Sequence, residues 1–162
     1  MNVLLSIKPK HADAIMRGDK LFEFRRVPFA ERDVETVYLY STAPVKKVVG
    51  LFRVGKVVED RPRSLWRKFR HVAGLSESEF FSYFRDSDVG YAIEVKRARR
   101  LSCPIDPFNV VPGFVPPQSF RYVARPKAGG RDGSPCAKGH SSHEARTDIT
   151  WSRHAVSLSS SG

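Results

Sequence analysis

The stretch LLSIKPKHADAIMRGDKLFEFRR, residues 4–26, changes its hydrophobic period twice. Asn2 to Ile7 (NVLLSI) is short and apolar, which suits a buried strand. Lys8-Pro9 interrupts it, and Pro9 suits the first turn of a helix, where its missing N–H is not needed. Ala12, Ile15 and Met16 then repeat at helical spacing and give an apolar face. Gly18 predicts the helix stop. From Lys20 to Arg26 the pattern alternates, with Leu21 and Glu23 on one side and Phe22 and Phe24 on the other. Glu23 and Arg25 therefore share a face of a half-buried strand that ends in two arginines.

The same reading extends outward. Residues 35–41 (ETVYLYS) alternate as a second strand, and Thr42-Ala43-Pro44 is a turn. Residues 46–58 (KKVVGLFRVGKVV) form a long β-rich run. Gly50 and Gly55 inside it predict bulges or sharp bends, as where a strand coils round a small barrel. Residues 62–72 read as a helix with Leu65, Trp66, Phe69 and Val72 on one side. Ser76 and Glu79 have capping-box spacing, and Leu75 and Phe80 have hydrophobic-staple spacing, so another helix starts there and runs to about Phe84. Residues 89–98 form a strand, 101–117 an extended proline-containing segment, and 119–124 a closing strand. Strands dominate, with helices in two places. This predicts an α+β fold, a small β-barrel of five to six mostly antiparallel strands with helices packed at its openings.

Composition bounds the function. The chain has 162 residues, enough for one domain with a real core. Its formal net charge is +11. Residues 1–125 hold 23 Lys+Arg against 14 Asp+Glu, and residues 126–162 hold 5 against 3, so the excess sits on the part expected to fold. A basic folded surface favours polyanions. From Pro126 onward the chain is rich in Gly, Ser, Arg and His and lacks apolar periodicity, which predicts a disordered tail over 126–162. Cys103 and Cys136 have neither metal spacing nor the look of a disulfide framework, and free thiols suit a reducing cytoplasm. The N-terminus does not read as a signal peptide, and no window approaches a membrane span. A soluble cytoplasmic protein without cofactor or metal is expected.

Four segments carry a resemblance in this order and spacing: residues 4–26, VYLYSTAPVKKVVGLF (37–52), GYAIEVKRARRL (90–101) and VPPQSFRYV (115–123). Together they resemble the ASCH domain, a PUA-like family, over about three-quarters of the chain. The G-x-K of Gly18 and Lys20 followed by E-F-R-R, and the terminal P-P-Q-S-F, are the closest parts. The resemblance implies a five- or six-stranded barrel with a cleft between barrel and helices, and links to RNA binding, RNA metabolism and transcription-associated regulation. Some small ASCH proteins hydrolyse an acyl amide on modified cytidine with a Lys at the G-x-K position, a Thr three residues later and a distant Glu. Lys20 matches, but the residue three later is Glu23, so that nucleophile is missing here.

By charge alone Lys8, Lys20, Glu23, Arg25 and Arg26 read as a solvated charged strand face with ordinary ion pairs. The resemblance implies instead that they form a ligand cleft, where Arg grips a phosphate bidentately and Lys supplies a point charge. Ser41 at a strand end, beside Tyr38, Tyr40 and Thr42, and Gln118 with Ser119 add groups that bond a base edge. Lys96, Arg97, Arg99 and Arg100 form a phosphate-contact run, and Arg61, Arg63, Arg67, Lys68 and Arg70 add charge on a helix. His11 and His71 read as surface residues. His140, His143 and His154 lack partners at ligand spacing, so no metal site is expected. The expected function is an RNA-binding module for single-stranded or modified RNA, with DNA a lesser partner. The alternative is a ribonuclease or modified-nucleoside amidohydrolase using Lys20 and Glu23 as catalytic groups. A third reading, a regulator acting on DNA or a protein, is disfavoured for direct duplex reading because no helix-turn-helix is evident.

Overall fold

The computed structural model describes residues 1–124 apart from Arg32. The tail expected over 126–162 lies outside the described residues. The elements, in chain order, are β1 (Asn2–Ile7), α1 (Pro9–Arg17), β2 (Phe22–Arg25), β3 (Thr36–Ser41), β4 (Lys47–Asp60), α2 (Pro62–Phe69) with a 3₁₀ turn at Arg70–Val72, α3 (Glu77–Tyr83), β5 (Gly90–Ile105), α4 (Pro107–Val110) and β6 (Phe120–Val123). The strands form one six-stranded sheet in the order β2-β5-β4-β3-β1-β6. Among the described residues only the β1–β3 pair is parallel, because α1 and β2 intervene and return the chain in the same direction.

Local chemistry sets the ends of the helices. Pro9 opens α1, and Gly18 closes it at φ 83°, donating its N–H to the Ala14 and Ile15 carbonyls. Ser76 caps α3 as its spacing with Glu79 predicts. Its Oγ accepts the Glu79 N–H at 3.2 Å, and the Glu79 carboxylate accepts the Ser76 N–H at 3.0 Å.

The sheet curls because β4 and β5 slip register three times, between Val48 and Gly50, Leu51 and Arg53, and Val54 and Val57. Each slip adds twist and bend. At Gly50 a Cβ would lie 2.8 Å from the Arg99 carbonyl oxygen and 2.7 Å from the end of Met16, so the strands and α1 close onto bare backbone there. β5 is longer than its sequence suggests. It runs through the basic residues to Ile105, which pairs with Val48, with Arg97 in the left-handed region at φ 49°. Alternation is lost at such a residue, which is why the sequence pattern stops near Ala98 while the strand continues.

The inner face of the curl is apolar. Val3, Leu5 and Ile7, Val37 and Leu39, Phe52, and Ile93 and Val95 meet there, under Ala12 and Ile15 of α1. On the outer face of β2 and β5, Phe22, Phe24 and Ala92 pack against Leu65, Phe80 and Phe84 of the α2–α3 region. A third cluster of Leu4, Tyr40, Val48, Phe114 and Val123 covers the outer face of β1 and β3. The two sheet edges, β2 and β6, approach without forming a ladder. The chain after β2 supplies an edge-to-face contact of Phe29 with Phe120 at 5.0 Å, and the Glu31 N–H donates to the Tyr122 hydroxyl at 3.0 Å. The result is a curled half-barrel closed by side chains.

Candidate functional site

β2 carries the site because its alternation is enforced by burial on both sides. Phe22 and Phe24 go outward into the aromatic cluster, which turns Glu23 and Arg25 inward beside Ile93. Lys20 precedes the strand, in the short link after Gly18. Its backbone N–H donates to the Ala14 carbonyl, and the next residue, Leu21, donates to Val72. The Lys20 ammonium is only 2% exposed as a residue and donates to the Ala73 carbonyl at 3.1 Å. It lies 3.5 Å from one Glu23 oxygen and 4.8 Å from the centre of the Phe24 ring. The other Glu23 oxygen stands 3.6 Å from the Arg25 guanidinium. Arg25 in turn donates to the Ser119 hydroxyl, which bridges the β2 edge to the segment before β6.

This is a buried chain of cation, anion, cation and hydroxyl at the mouth of the curl. Burial pushes the Lys20 ammonium down from its ordinary value. Glu23 opposes that effect by attraction and hydrogen bonding, and Arg25 adds to it. Gly74 holds the link from outside at φ 65°, and a Cβ there would sit 2.5 Å from the Lys20 Cβ.

The remaining predicted residues are distributed around this core. Ser41 is buried at the end of β3, on the same face as Val37 and Leu39, without a described contact to Lys20 or Glu23. Lys8 is exposed at the start of α1. Gln118 is exposed, while its neighbours are pinned: the Ser119 carbonyl accepts the Ser6 N–H at 3.0 Å, and the Ser6 hydroxyl donates to the Pro117 carbonyl at 2.6 Å. Arg26 turns the other way, with its guanidinium 5.3 Å from the Tyr83 ring centre. Tyr40 is buried against Phe114, which removes it as a stacking platform for a base. In the basic run, Lys96 pairs with Glu94 at 3.4 Å and Arg100 with Asp13 at 3.0 Å, while Arg97 and Arg99 are exposed.

Two expectations are corrected. His11 is not a surface residue. It is half-buried, and its Nδ1 is buried without a hydrogen-bond partner. Burial lowers its pKa, and the positive charge of Lys20, then of Lys10 and Lys8, lowers it further against the pull of Glu23. The signal was present in the helical spacing, since His11 lies one turn before the buried Ile15 on the same stripe. Cys103 is disulfide-bonded rather than a free thiol, and the chain's other cysteine lies outside the described residues. The roles of Ala73 and Gly74 had no local signal, because they meet Lys20 across more than fifty residues of chain.

Among the described residues, no group of three or more His, Cys, Asp or Glu is placed to hold a metal ion. No helix among them is long and apolar enough to cross a membrane.

No family model matches the chain. An ASCH domain-containing ribonuclease of Zymomonas mobilis is 30% identical over 129 residues, spanning 75% of this chain and 84% of that one. A large ribosomal subunit protein of Ureaplasma parvum is 29% identical over 126 residues, 75% of this chain but only 39% of its own length. The crystal structure of ASCH from Zymomonas mobilis matches with a TM-score of 0.70 at 28% identity, covering 76% of this chain and 88% of that one. A serine-to-alanine variant of it matches equally, with a TM-score of 0.70 at 27% identity and coverage of 76% and 89%. With the curled six-stranded sheet, the helix over its mouth and this level of identity along three-quarters of its length, the chain belongs to the ASCH domain family and has its PUA-like half-barrel fold.

Proposed function

We propose that this chain is an RNA-binding module that holds a nucleotide of single-stranded or modified RNA at the mouth of the half-barrel. The observation that carries this reading is the buried Lys20–Glu23–Arg25 network. Burying charges costs several kcal/mol per ion, and apolar residues of the same volume would hold the strand as well. Charges kept at such a cost are suited to recognition. Arg25 is the outermost member at 11% side-chain exposure, against 3% for Lys20 and 8% for Glu23. In this reading an incoming phosphate or base oxygen takes the place of Ser119 on the Arg25 guanidinium. Glu23 and Lys20 then offer an acceptor and a donor behind it. In this reading Lys8 and Gln118, both exposed, line the approach, Arg26 and Ser41 take no part in it, and Lys96, Arg97, Arg99 and Arg100 meet flanking phosphates.

The named activity of the Zymomonas mobilis relative favours a second reading, a ribonuclease. In RNA cleavage by its own 2′-hydroxyl, a base takes that proton, the 2′-oxygen displaces the 5′-oxygen from phosphorus, an ammonium or imidazolium gives the departing 5′-oxygen a proton, and cations stabilise the charge that gathers on the phosphoryl oxygens. His11, whose pKa is lowered by burial and by the nearby Lys20, suits the base. Arg25 and Lys20 suit the cations, and Glu23 orients them.

One experiment tests both readings. Binding and turnover of short labelled single-stranded RNA are measured for the wild type, Lys20→Ala and Arg25→Ala over a range of salt. Binding that weakens with salt and drops at least about tenfold in Arg25→Ala supports the module. Turnover lost in Lys20→Ala with folding intact adds the ribonuclease. Wild-type affinity that is absent, or independent of salt, refutes both.

A further inference from the structure

A recess between α2 and α3 lies outside the network around Lys20. It has a volume of about 490 Å³ and is lined by Arg63, Trp66, Glu77 and Phe81. That volume is within the usual range for small-ligand sites. Arg63 and Glu77 carry opposite charges in one recess, yet neither forms an ion pair or a side-chain hydrogen bond among the described residues. Trp66 and Phe81 are half-buried, with ring centres 6.1 Å apart and planes at 60°. They make a corner rather than a sandwich. A flat ring laid on one of them presents its edge sideways.

The recess is also tied to the first site. Phe80 contacts Trp66 at 5.1 Å and Phe81 at 5.3 Å on one side, and Phe24 at 5.0 Å on the other. Phe24 is the ring beneath the Lys20 ammonium. Both sites therefore back onto one aromatic wall. The surface around the recess is basic, because Arg61, Arg63, Arg67 and Arg70 on and beside α2 are exposed and Lys68 alone of that run is engaged, with Asp60 at 2.7 Å.

We infer that this recess is a second nucleobase site, specific for guanine in single-stranded RNA. The inference rests on the RNA-binding reading above. A base stacks on an aromatic ring irrespective of its identity, so the rings supply affinity without choice. Glu77 supplies the choice. A carboxylate offers two acceptors side by side, and among the four RNA bases only guanine presents two adjacent donors, N1–H and the N2 amino group, on its Watson–Crick edge. Adenine and cytosine offer one amino donor there, and uracil one imino donor. Arg63, unpaired across the recess, meets the phosphate of the same nucleotide, and Arg67 meets its neighbour.

The test compares three labelled six-nucleotide RNAs on the full chain: all uridine, uridine with one central guanosine, and uridine with one central inosine. Inosine keeps N1–H and stacking but lacks the N2 amino group. The expected result is that the guanosine RNA binds at least about fivefold more tightly than the inosine RNA, a modest value for one bidentate pair. Glu77→Gln should lose this preference while still binding the uridine RNA through the Lys20 site. In a Trp151→Phe background, where Trp66 is the remaining tryptophan, guanosine RNA should quench fluorescence. Equal wild-type affinity for all three RNAs overturns the guanine site and leaves the RNA-binding reading standing. A preference unchanged in Glu77→Gln also overturns it. No affinity for any of the three overturns both.

Discussion

β2 has two faces, and they are held in opposite ways. Its outer face sends Phe22 and Phe24 into rings of α2 and α3, with Phe22 stacked on Phe69 at 4.1 Å and Phe24 edge-on to Phe80. Its inner face carries Glu23 and Arg25 in a chain of charges that runs from Lys20 to Ser119. The apolar face stabilises by area and contact, which tolerate small shifts. The charged face is stable only while every member has its partner, since an unpaired buried charge is costly. The difference separates what holds the domain together from what it offers to a ligand. The outer face anchors the strand firmly enough to keep the charges on its inner face in place.

Removing rings should break the outer face most severely. Phe80 is fully buried and touches Phe24, Trp66, Phe81 and Phe84, so Phe80→Ala should cost about 4 kcal/mol in urea unfolding. A loss below about 1 kcal/mol would mean that the aromatic cluster does not anchor β2.

On the inner face, Glu23→Ala should cost about 3 kcal/mol, mainly because Lys20 is left buried without its counter-charge. Replacing the pair together, Lys20→Met with Glu23→Leu, should recover most of that stability without recovering RNA binding. If the double variant binds RNA as the wild type does, the network is structural.

Gly74→Ala tests the link between the two faces. The residue sits at positive φ, and its new Cβ would press on the Lys20 Cβ, so about 2 kcal/mol of stability should be lost. RNA affinity should fall as well, because Lys20 is displaced. Ser119→Ala removes one exchangeable partner of Arg25 and should change stability by under about 1 kcal/mol.

The smallest effect concerns pH. His11 has its pKa depressed below its ordinary value of 6.5 in the folded protein. Just below pH 6.5 the unfolded chain therefore binds more protons than the folded one, and stability falls as pH drops through that window. The groups facing His11 are Lys20, Glu23, Lys10 and Lys8. His11→Gln should flatten the difference between urea midpoints at pH 7.5 and pH 5.5. An unchanged slope would place the responsible group elsewhere.

Some features were legible in residues 4–26 because their causes are local. A proline at a helix start, a glycine at its end and an alternating FEFR each act within a few residues. The capping box at Ser76 is of the same kind. From such features came the element order and the shared face of Glu23 and Arg25. The parallel pairing of β1 with β3 was not legible, nor was the extension of β5 past Ala98, because register is chosen by packing across the sheet. The site divides in the same way. Lys20, Glu23 and Arg25 lie within one local motif, whereas Ala73, Gly74 and Ser119 reach them only after the chain has curled. His11 falls between, since its helical stripe marked it but only the closed mouth buried it.

The amino-acid sequence by itself thus determined the alternation that splits β2 into an aromatic and a charged face, since period-two geometry needs no partner. The tertiary structure decided which charges were buried together. A charge takes its energy from what surrounds it, and the neighbours of Lys20 come from the adjoining β2, from α1 and from Ala73 more than fifty residues away.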